Sequence, residues 1–356
     1  MRAAVDVMGG DKAPDAVLRG CFDAAELLDA DDRILLVGDE SVIKPALDAA
    51  DVDAAVYEIV ATTQVVEMCE SPVEAIRTKP DSSLAMIAKL AAKGEADVAI
   101  SAGNTGAGVA AAQLRMRTLP GVQRPGIAVN MPTIHGPVIY CDVGANPEPR
   151  PTHLLQYAIM ASAYFEATTG KTNARVGLLN IGSEEAKGTA MVKETRALLR
   201  EAKSVNFIGN VEGRGLFRGE CDVVITDGFV GNIVLKFAEG LFEGLFATVK
   251  KELAVESADL VERFKPVMGR IAHDLDWQEY GGAPLLGVGG YFMIGHGASD
   301  ARAIRNTIRA SKKAIASNVN ETIIQRIAEA KDDVATADAS VGASTDAAAD
   351  EPVGAA

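Results

Sequence analysis

Apolar, β-branched runs in this chain repeatedly end in short glycine turns that carry one polar side chain. The turns read MGGDKAP (Met8–Pro14), SAGNTGAG (Ser101–Gly108), CDVGANPEP (Cys141–Pro149), NIGSEEAKG (Asn180–Gly188), GNVEGRG (Gly209–Gly215) and TDGFVGN (Thr226–Asn232). Several lead straight into a helical pattern. Glycine lets backbone N–H groups approach a ligand closely, and a helix start adds a positive dipole end. Several such turns converging at one sheet edge make an anion site, so the chain is expected to hold a small oxyanion and an acyl compound rather than a polymer.

Strand-like and helix-like periods alternate along most of the 356 residues. Strands are expected at Ala3–Val7, Ile34–Val37, Val56–Val60, Val98–Ser101, Ile127–Asn130, Val138–Asp142, Val176–Asn180, Asn206–Ile208, Val223–Thr226 and Tyr291–Ile294. Helical spacing covers Pro14–Leu28, Ser82–Lys93, Thr105–Arg117, Thr152–Thr168, Glu185–Glu201, Val230–Leu253 and Ala298–Ala328. This alternation predicts an α/β fold with a mostly parallel sheet covered on both faces, a three-layer α/β/α arrangement. Hydrophobic content of 48% with only 5% aromatic residues suits such an aliphatic sheet. Ligands in these sheets bind at the carboxyl ends of strands, where the glycine turns lie. The rhythm breaks where two helical stretches follow one another, joined near Val255–Ser257, which predicts a helical hairpin projecting from the sheet at about residues 236–276. The α/β domain is expected to span 1–331. Residues 332–356 hold six carboxylates and no Lys or Arg in an Ala-rich background, which predicts a disordered acidic tail.

A formal net charge of −14 argues against bulk nucleic-acid binding. The four cysteines (Cys21, Cys69, Cys141, Cys221) form no CxxC and read as free thiols of a reducing compartment. No signal-like segment and no run of about 20 apolar residues is present, so a cytoplasmic protein is expected, with surface attachment to a membrane left open. Gly170-Lys171-Thr172 resembles the end of a P-loop, but Phe165 stands where the first glycine belongs and a strand follows. No GxGxxG follows the first strand. The histidines (His135, His153, His273, His296) lack HxxxH or HExxH spacing, and no GxSxG elbow supports a serine triad. Neither a metal nor another cofactor is expected.

Two turns stand out. In NIGSEEAKG, Glu184 and Lys187 lie at i, i+3, and a helix start there would put them on one face; the lysine suits an anion. In DGFVGN, Asn232 opens a long helix, where a carboxamide either caps the helix or donates to a developing oxyanion. His296 in GHGAS reads either as a polar site residue or as a turn histidine.

MGGDKAP, SAGNTGA, DVGAN, LLNIGSEEAKG, GNVEGR, DVVITDGFVGN and EYGGAPLLGV stand in the order found in the bacterial phosphate acyltransferases of phospholipid synthesis, which this chain resembles over about residues 1–328. The resemblance implies attack of inorganic phosphate on the thioester of a long-chain acyl carrier protein. Acyl phosphate would result and would supply a glycerol-3-phosphate acyltransferase. It implies a fold similar to isocitrate/isopropylmalate dehydrogenases and phosphate acetyltransferases, and a homodimer in peripheral contact with membranes. It points to Lys187 and Asn232 as catalytic residues. Phosphate is already a nucleophile, so the enzyme need only desolvate it, align it and stabilise the oxyanion. The turns offer Gly9, Gly10, Asp11, Ser101, Gly103, Asn104, Thr105, Gly106, Asp142, Gly144, Asn146, Glu184, Asn210, Glu212, Asp227, Gly228, Gly231 and His296 as substrate-binding or positioning groups. Gly215 departs from the family pattern, where Asp is commoner, and Ala298 stands where a hydroxyl residue is common.

The hairpin reads two ways. Leu241, Phe242, Leu245, Phe246, Val249 and Leu253 make an apolar stripe suited to a dimer interface or core. With Lys250, Lys251, Arg263, Lys265 and Arg270 it also suits a tip facing anionic lipid or the acidic carrier protein. Three other functions remain open: a short-chain phosphate acyltransferase using acyl-coenzyme A, an NAD- and metal-dependent decarboxylating dehydrogenase, and a non-enzymatic lipid-binding scaffold.

Overall fold

The computed structural model describes residues 1–330, apart from the side chains of Ala258, Ala272 and Trp277; the expected tail lies outside the described residues. Eleven strands form one sheet. In chain order they are β1 (Arg2–Asp6), β2 (Arg33–Gly38), β3 (Tyr57–Ala61), β4 (Val98–Ser101), β5 (Gly126–Met131), β6 (Val138–Cys141), β7 (Arg175–Leu179), β8 (Asn206–Val211), β9 (Val223–Ile225), β10 (Ala283–Leu286) and β11 (Tyr291–Ile294). Their spatial order is β3-β2-β1-β4-β11-β10-β5-β6-β9-β7-β8.

The sheet reverses at its centre. Strands β3, β2, β1, β4 and β11 are mutually parallel, as are β6, β9, β7 and β8. Between the two sets, β10 pairs antiparallel with β11 and β5, and β5 antiparallel with β6. The glycine turns therefore fall into two groups, one at the strand ends of each half. They do not share the single row of carboxyl ends that a uniformly parallel sheet would give.

Helices cover both faces. On one lie α3 (Pro72–Thr78), α4 (Ser83–Ala92), α5 (Thr105–Arg115) and the first turns of α8 (Gly228–Glu256). The other carries α1 (Asp15–Asp23), α2 (Glu40–Ala49) and α10 (Ala301–Ala316) under the first half, with α6 (Pro151–Thr169), α7 (Ala190–Glu201) and α11 (Val319–Glu329) under the second. Strand residues point to both covered faces, so Ile34, Leu35, Leu36 and Ile100 are all buried. Each such burial stabilises by about 1.5–3 kcal/mol.

α8 and α9 (Ala258–Leu275) form the hairpin. Ser257 breaks the run in an extended conformation, and its hydroxyl accepts from Leu260 N–H to start α9. Of the described residues, no helix is long and apolar enough to cross a membrane.

Some local expectations change. The helix expected from Glu185 begins only at Ala190, because Gly188 takes φ +98° and Thr189 caps the start by accepting from Val192 N–H. The run Ala298–Ala328 is two helices, divided where Asn318 turns left-handed at φ 48°. β10, α2 and α3 were not anticipated.

Candidate active site

In the second half of the sheet, one buried carboxylate shapes the turn after β6. Asp142 Oδ1 accepts from the N–H groups of Ile127, Gly144 and Ala145, and Oδ2 from the N–H and side-chain amide of Asn146. Burial pushes the Asp142 pKa up, while these donors pull it back. Asn146 also donates to Pro125 C=O at 2.7 Å, and its own carbonyl receives Gly228 N–H at 2.9 Å. The start of α8 thus packs on this turn. A Cβ on Gly231 would stand 1.9 Å from the Asp142 carbonyl oxygen, and one on Gly228 would be 2.7 Å from that of Asn146. Asp227 caps α8 by accepting from Val230 N–H at 2.8 Å. Asp142, Asn146, Asp227, Gly228 and Gly231 therefore form the seat that presents Asn232, whose side chain faces Gly144.

The first half is organised in a similar way by a residue not singled out in the sequence. Buried Asp6, whose pKa burial raises, accepts from Ser101 Oγ at 2.8 Å and from Met8 N–H at 3.2 Å. Ser101 Oγ in turn receives Gly103 N–H, and a Cβ on Gly9 would collide with the Asp6 carboxylate at 2.5 Å. Asn104 caps α5 by accepting from Ala107 N–H, and its amide donates to the carbonyls of Glu67, Met68 and Glu70. Asp11 N–H and Lys12 Nζ donate to Gly297 and Ala298 carbonyls, joining the first turn to the GHGAS turn.

Between the two halves lies a cavity of about 630 Å³ over β5, β10 and β11. One wall is a single face of α8, carrying Asn232, Leu235, Lys236, Glu239, Phe242, Glu243 and Phe246 at helical spacing. The opposite wall brings Asp11, Met68, Thr105 and Gly295–Gly297 from the first half. Ile127, Val129, Met131, Val143, Leu275 and Ile294 make much of the remaining lining apolar. Along the α8 face Asn232 comes first, and Phe242 and Phe246 follow with Glu239 and Glu243 beside them.

Lys187 is placed differently. It stands exposed in the turn between β7 and α7, outside the cavity lining, so it does not share a helical face with Glu184. Lys187 N–H donates to Glu184 C=O at 3.2 Å, closing a turn instead. That turn is anchored at several points. Asn180 and Asn210 amides donate to the carbonyls of Lys187 and Glu184, and Glu185 pairs with Arg196 and Arg200 of α7. Because β7 neighbours β9, with Leu178 opposite Ile225, the turn bearing Lys187 lies beside the turn that leads to Asn232. Glu212 follows β8, the far edge strand, and pairs with Arg214.

His296 lines the cavity and meets two side chains that the sequence did not single out. Lys236 Nζ lies in close contact with its Nε2, and Glu239 Oε2 is 3.6 Å from the same nitrogen and 2.9 Å from Lys236 Nζ. Ala298 N–H donates to Nδ1 at 3.1 Å. Burial, then the Lys236 charge, holds the His296 pKa below its ordinary value. The i, i+4 and i, i+7 spacing of Lys236 and Glu239 from Asn232 was the available signal. Among the described residues no group of three or more His, Cys, Asp or Glu is placed to hold a metal ion.

The chain matches the family model described as "Fatty acid synthesis protein" over residues 1–322. It is 45% identical over 326 residues to a phosphate acyltransferase of Desulfitobacterium hafniense (strain DSM 10664 / DCB-2), covering 91% of this chain and 96% of the relative. The phosphate acyltransferase of Heliobacterium modesticaldum is 44% identical over 330 residues, covering 92% and 98%. Among solved structures, a phosphotransacetylase from Streptococcus pyogenes superimposes with a TM-score of 0.58 at 16% identity, covering 89% of this chain and 94% of that one. At that identity the likeness concerns the fold.

Proposed function

Because this chain belongs to the phosphate acyltransferase family of fatty acid synthesis, we propose that it transfers a long-chain acyl group from acyl carrier protein to inorganic phosphate. The observation that carries this reading is the largely apolar cavity along α8, lined also by Asn232 and by Thr105 and Val143 of the strand-end turns. A long acyl chain lies along Phe242 and Phe246, which places the thioester carbonyl near Asn232. Phosphate approaches from the glycine turns. Asn232 donates to the carbonyl oxygen as it becomes an oxyanion, and Lys187 clamps phosphate from the neighbouring turn. No acyl-enzyme is formed, since phosphate attacks directly. The acyl phosphate then passes to an acyltransferase acting on glycerol 3-phosphate.

The surface supports this choice of partners. Lys250 and Lys251 near the end of α8, with Arg263, Lys265 and Arg270 on α9, are exposed and suit an acidic carrier protein or anionic lipid. Phe229, Ile233, Phe237, Leu241 and Leu245 form an exposed ridge at four-residue spacing on the side of α8 away from the cavity. That ridge fits the same ridge of a second copy in a homodimer.

Substrate competition tests the carrier-protein reading. With labelled phosphate and palmitoyl carrier protein, a large excess of palmitoyl-coenzyme A is expected to leave labelled acyl phosphate formation mostly intact. Strong suppression, with turnover of the coenzyme A thioester, would assign the chain to the coenzyme A-dependent class.

A further inference from the structure

We propose that Lys236, with Glu239 and His296, receives the leaving thiolate, Lys236 acting as the acid that protonates its sulfur. This inference rests on the reaction proposed above and assigns it a residue set one helical turn from Asn232.

Three observations converge. First, Lys236 follows Asn232 by four residues on the same cavity-facing side of α8, a rise of about 6 Å along the helix. A thioester carbonyl held at Asn232 thus has its substituents within reach of Lys236. Second, the hydrogen bond from Ala298 N–H occupies His296 Nδ1, which puts the neutral ring's proton on Nε2. Burial and the Lys236 charge favour that neutral form. The groups facing His296 are Lys236, Glu239 and Glu243 on α8 and Asp11 in the first turn. His296 therefore serves as an Nε2–H donor, not as a base; a charged Lys236 offers it no acceptor, so the two N–H groups converge on one shared anionic acceptor, as they do on Glu239 Oε2 at 3.6 Å from Nε2 and 2.9 Å from Lys236 Nζ. Third, the lining carries four carboxylates (Asp11, Glu239, Glu243 and Asp276) against Lys236 and His296. Among these lining residues Lys236 is the one Lys or Arg, so it is the group there that can meet the negative charge developing on the departing sulfur. Glu239 holds Lys236 in place at 2.9 Å.

The step balances. A phosphate oxygen forms the C–O bond to the acyl carbon, the C–S bond breaks, and its electron pair goes to sulfur. Lys236 Nζ gives a proton to sulfur and recovers one from the P–OH of the phosphate through water at the cavity mouth. Monoprotonated phosphate and thioester become acyl phosphate dianion and thiol, with one proton moved from phosphate to sulfur.

Leaving-group dependence tests this. The wild type, Lys236→Met and His296→Gln are assayed for acyl phosphate with palmitoyl carrier protein and with a palmitoyl 4-nitrothiophenyl thioester, whose thiolate needs no proton. Lys236→Met is expected to lose roughly 100-fold in kcat on the carrier-protein substrate, in line with the loss of a general acid, and less than about threefold on the aryl thioester. His296→Gln, which keeps an N–H donor, is expected to fall by about tenfold or less on the first and to be unchanged on the second. Equal losses on both substrates, or no loss on either, would overturn the assignment while leaving the acyl transfer reading intact. If the wild type refuses the aryl thioester for want of the carrier protein, the solvent isotope effect on kcat with palmitoyl carrier protein decides: an effect that is lost in Lys236→Met supports the assignment, and one unchanged in the variant overturns it. Absence of acyl phosphate from any thioester with the wild type would overturn both.

Discussion

Asp142 and Asn146 hold one another at the end of β6: Asp142 Oδ2 accepts the Asn146 backbone N–H at 2.7 Å and its side-chain amide at 3.3 Å. Both carboxylate oxygens are acceptors here, since Oδ1 takes three further N–H groups. Asp142→Asn would turn one of these oxygens into a donor facing donors. The expected cost is about 1–3 kcal/mol, read as a lower midpoint in denaturant. Turnover should also fall, because the turn that seats Asn232 loosens.

Two glycines of α8 make a matched pair. Gly231→Ala would drive a Cβ to 1.9 Å from the Asp142 carbonyl oxygen, whereas a Cβ on Gly240 meets nothing within 4 Å. Gly231→Ala should destabilise by at least about 1–3 kcal/mol and shift the helix start. Gly240→Ala should stabilise by roughly 0.5–1 kcal/mol. Thermal unfolding of the two variants side by side checks the pair.

Lys187 is exposed, so Lys187→Ala should leave the midpoint of unfolding unchanged. Turnover should drop on the order of 100-fold or more if the lysine clamps phosphate. Glu185→Gln, which weakens the ties to Arg196 and Arg200, should raise the KM for phosphate more than it lowers kcat. Near-normal kinetics in Lys187→Ala would remove the residue from the mechanism.

Asp32 supplies a pH dependence. Burial opposes its ionisation, but the bond from Lys312 Nζ at 2.7 Å and the amino group of Met1 outweigh burial and bring its pKa to about 2. The folded value lies below the ordinary carboxylate range. Its contribution, on the order of 1–2 kcal/mol once the ion pair is discounted for solvent screening, is therefore present above about pH 4 and lost as pH falls toward 2. Asp32→Asn should be less stable than wild type at pH 6, with the gap narrowing as pH falls through the window from about 4 to about 2 in urea titrations.

Much of the architecture was legible because strands and turns are encoded locally. Runs such as Val98–Ser101 and Tyr291–Ile294 begin and end as their composition suggests. β10 was not, since Ala283–Leu286 is short, contains a proline and is flanked by glycines. The reversal at mid-sheet was hidden too, because strand direction depends on which distant strands pair. In the cavity, Asn232 was visible from its place after a glycine turn. Lys236 and Glu239 look like solvated helix charges until the fold brings His296 against them, and Asp6 looks like an ordinary strand residue until Ser101 meets it.

The central claim is tested most directly by trapping with hydroxylamine. Palmitoyl carrier protein and inorganic phosphate are incubated with the protein, with a phosphate-free control. Palmitoyl hydroxamate that forms only when phosphate is present, and is strongly reduced in Asn232→Ala, is the predicted result. Hydroxamate independent of phosphate, or none from a folded wild-type protein, would contradict the account.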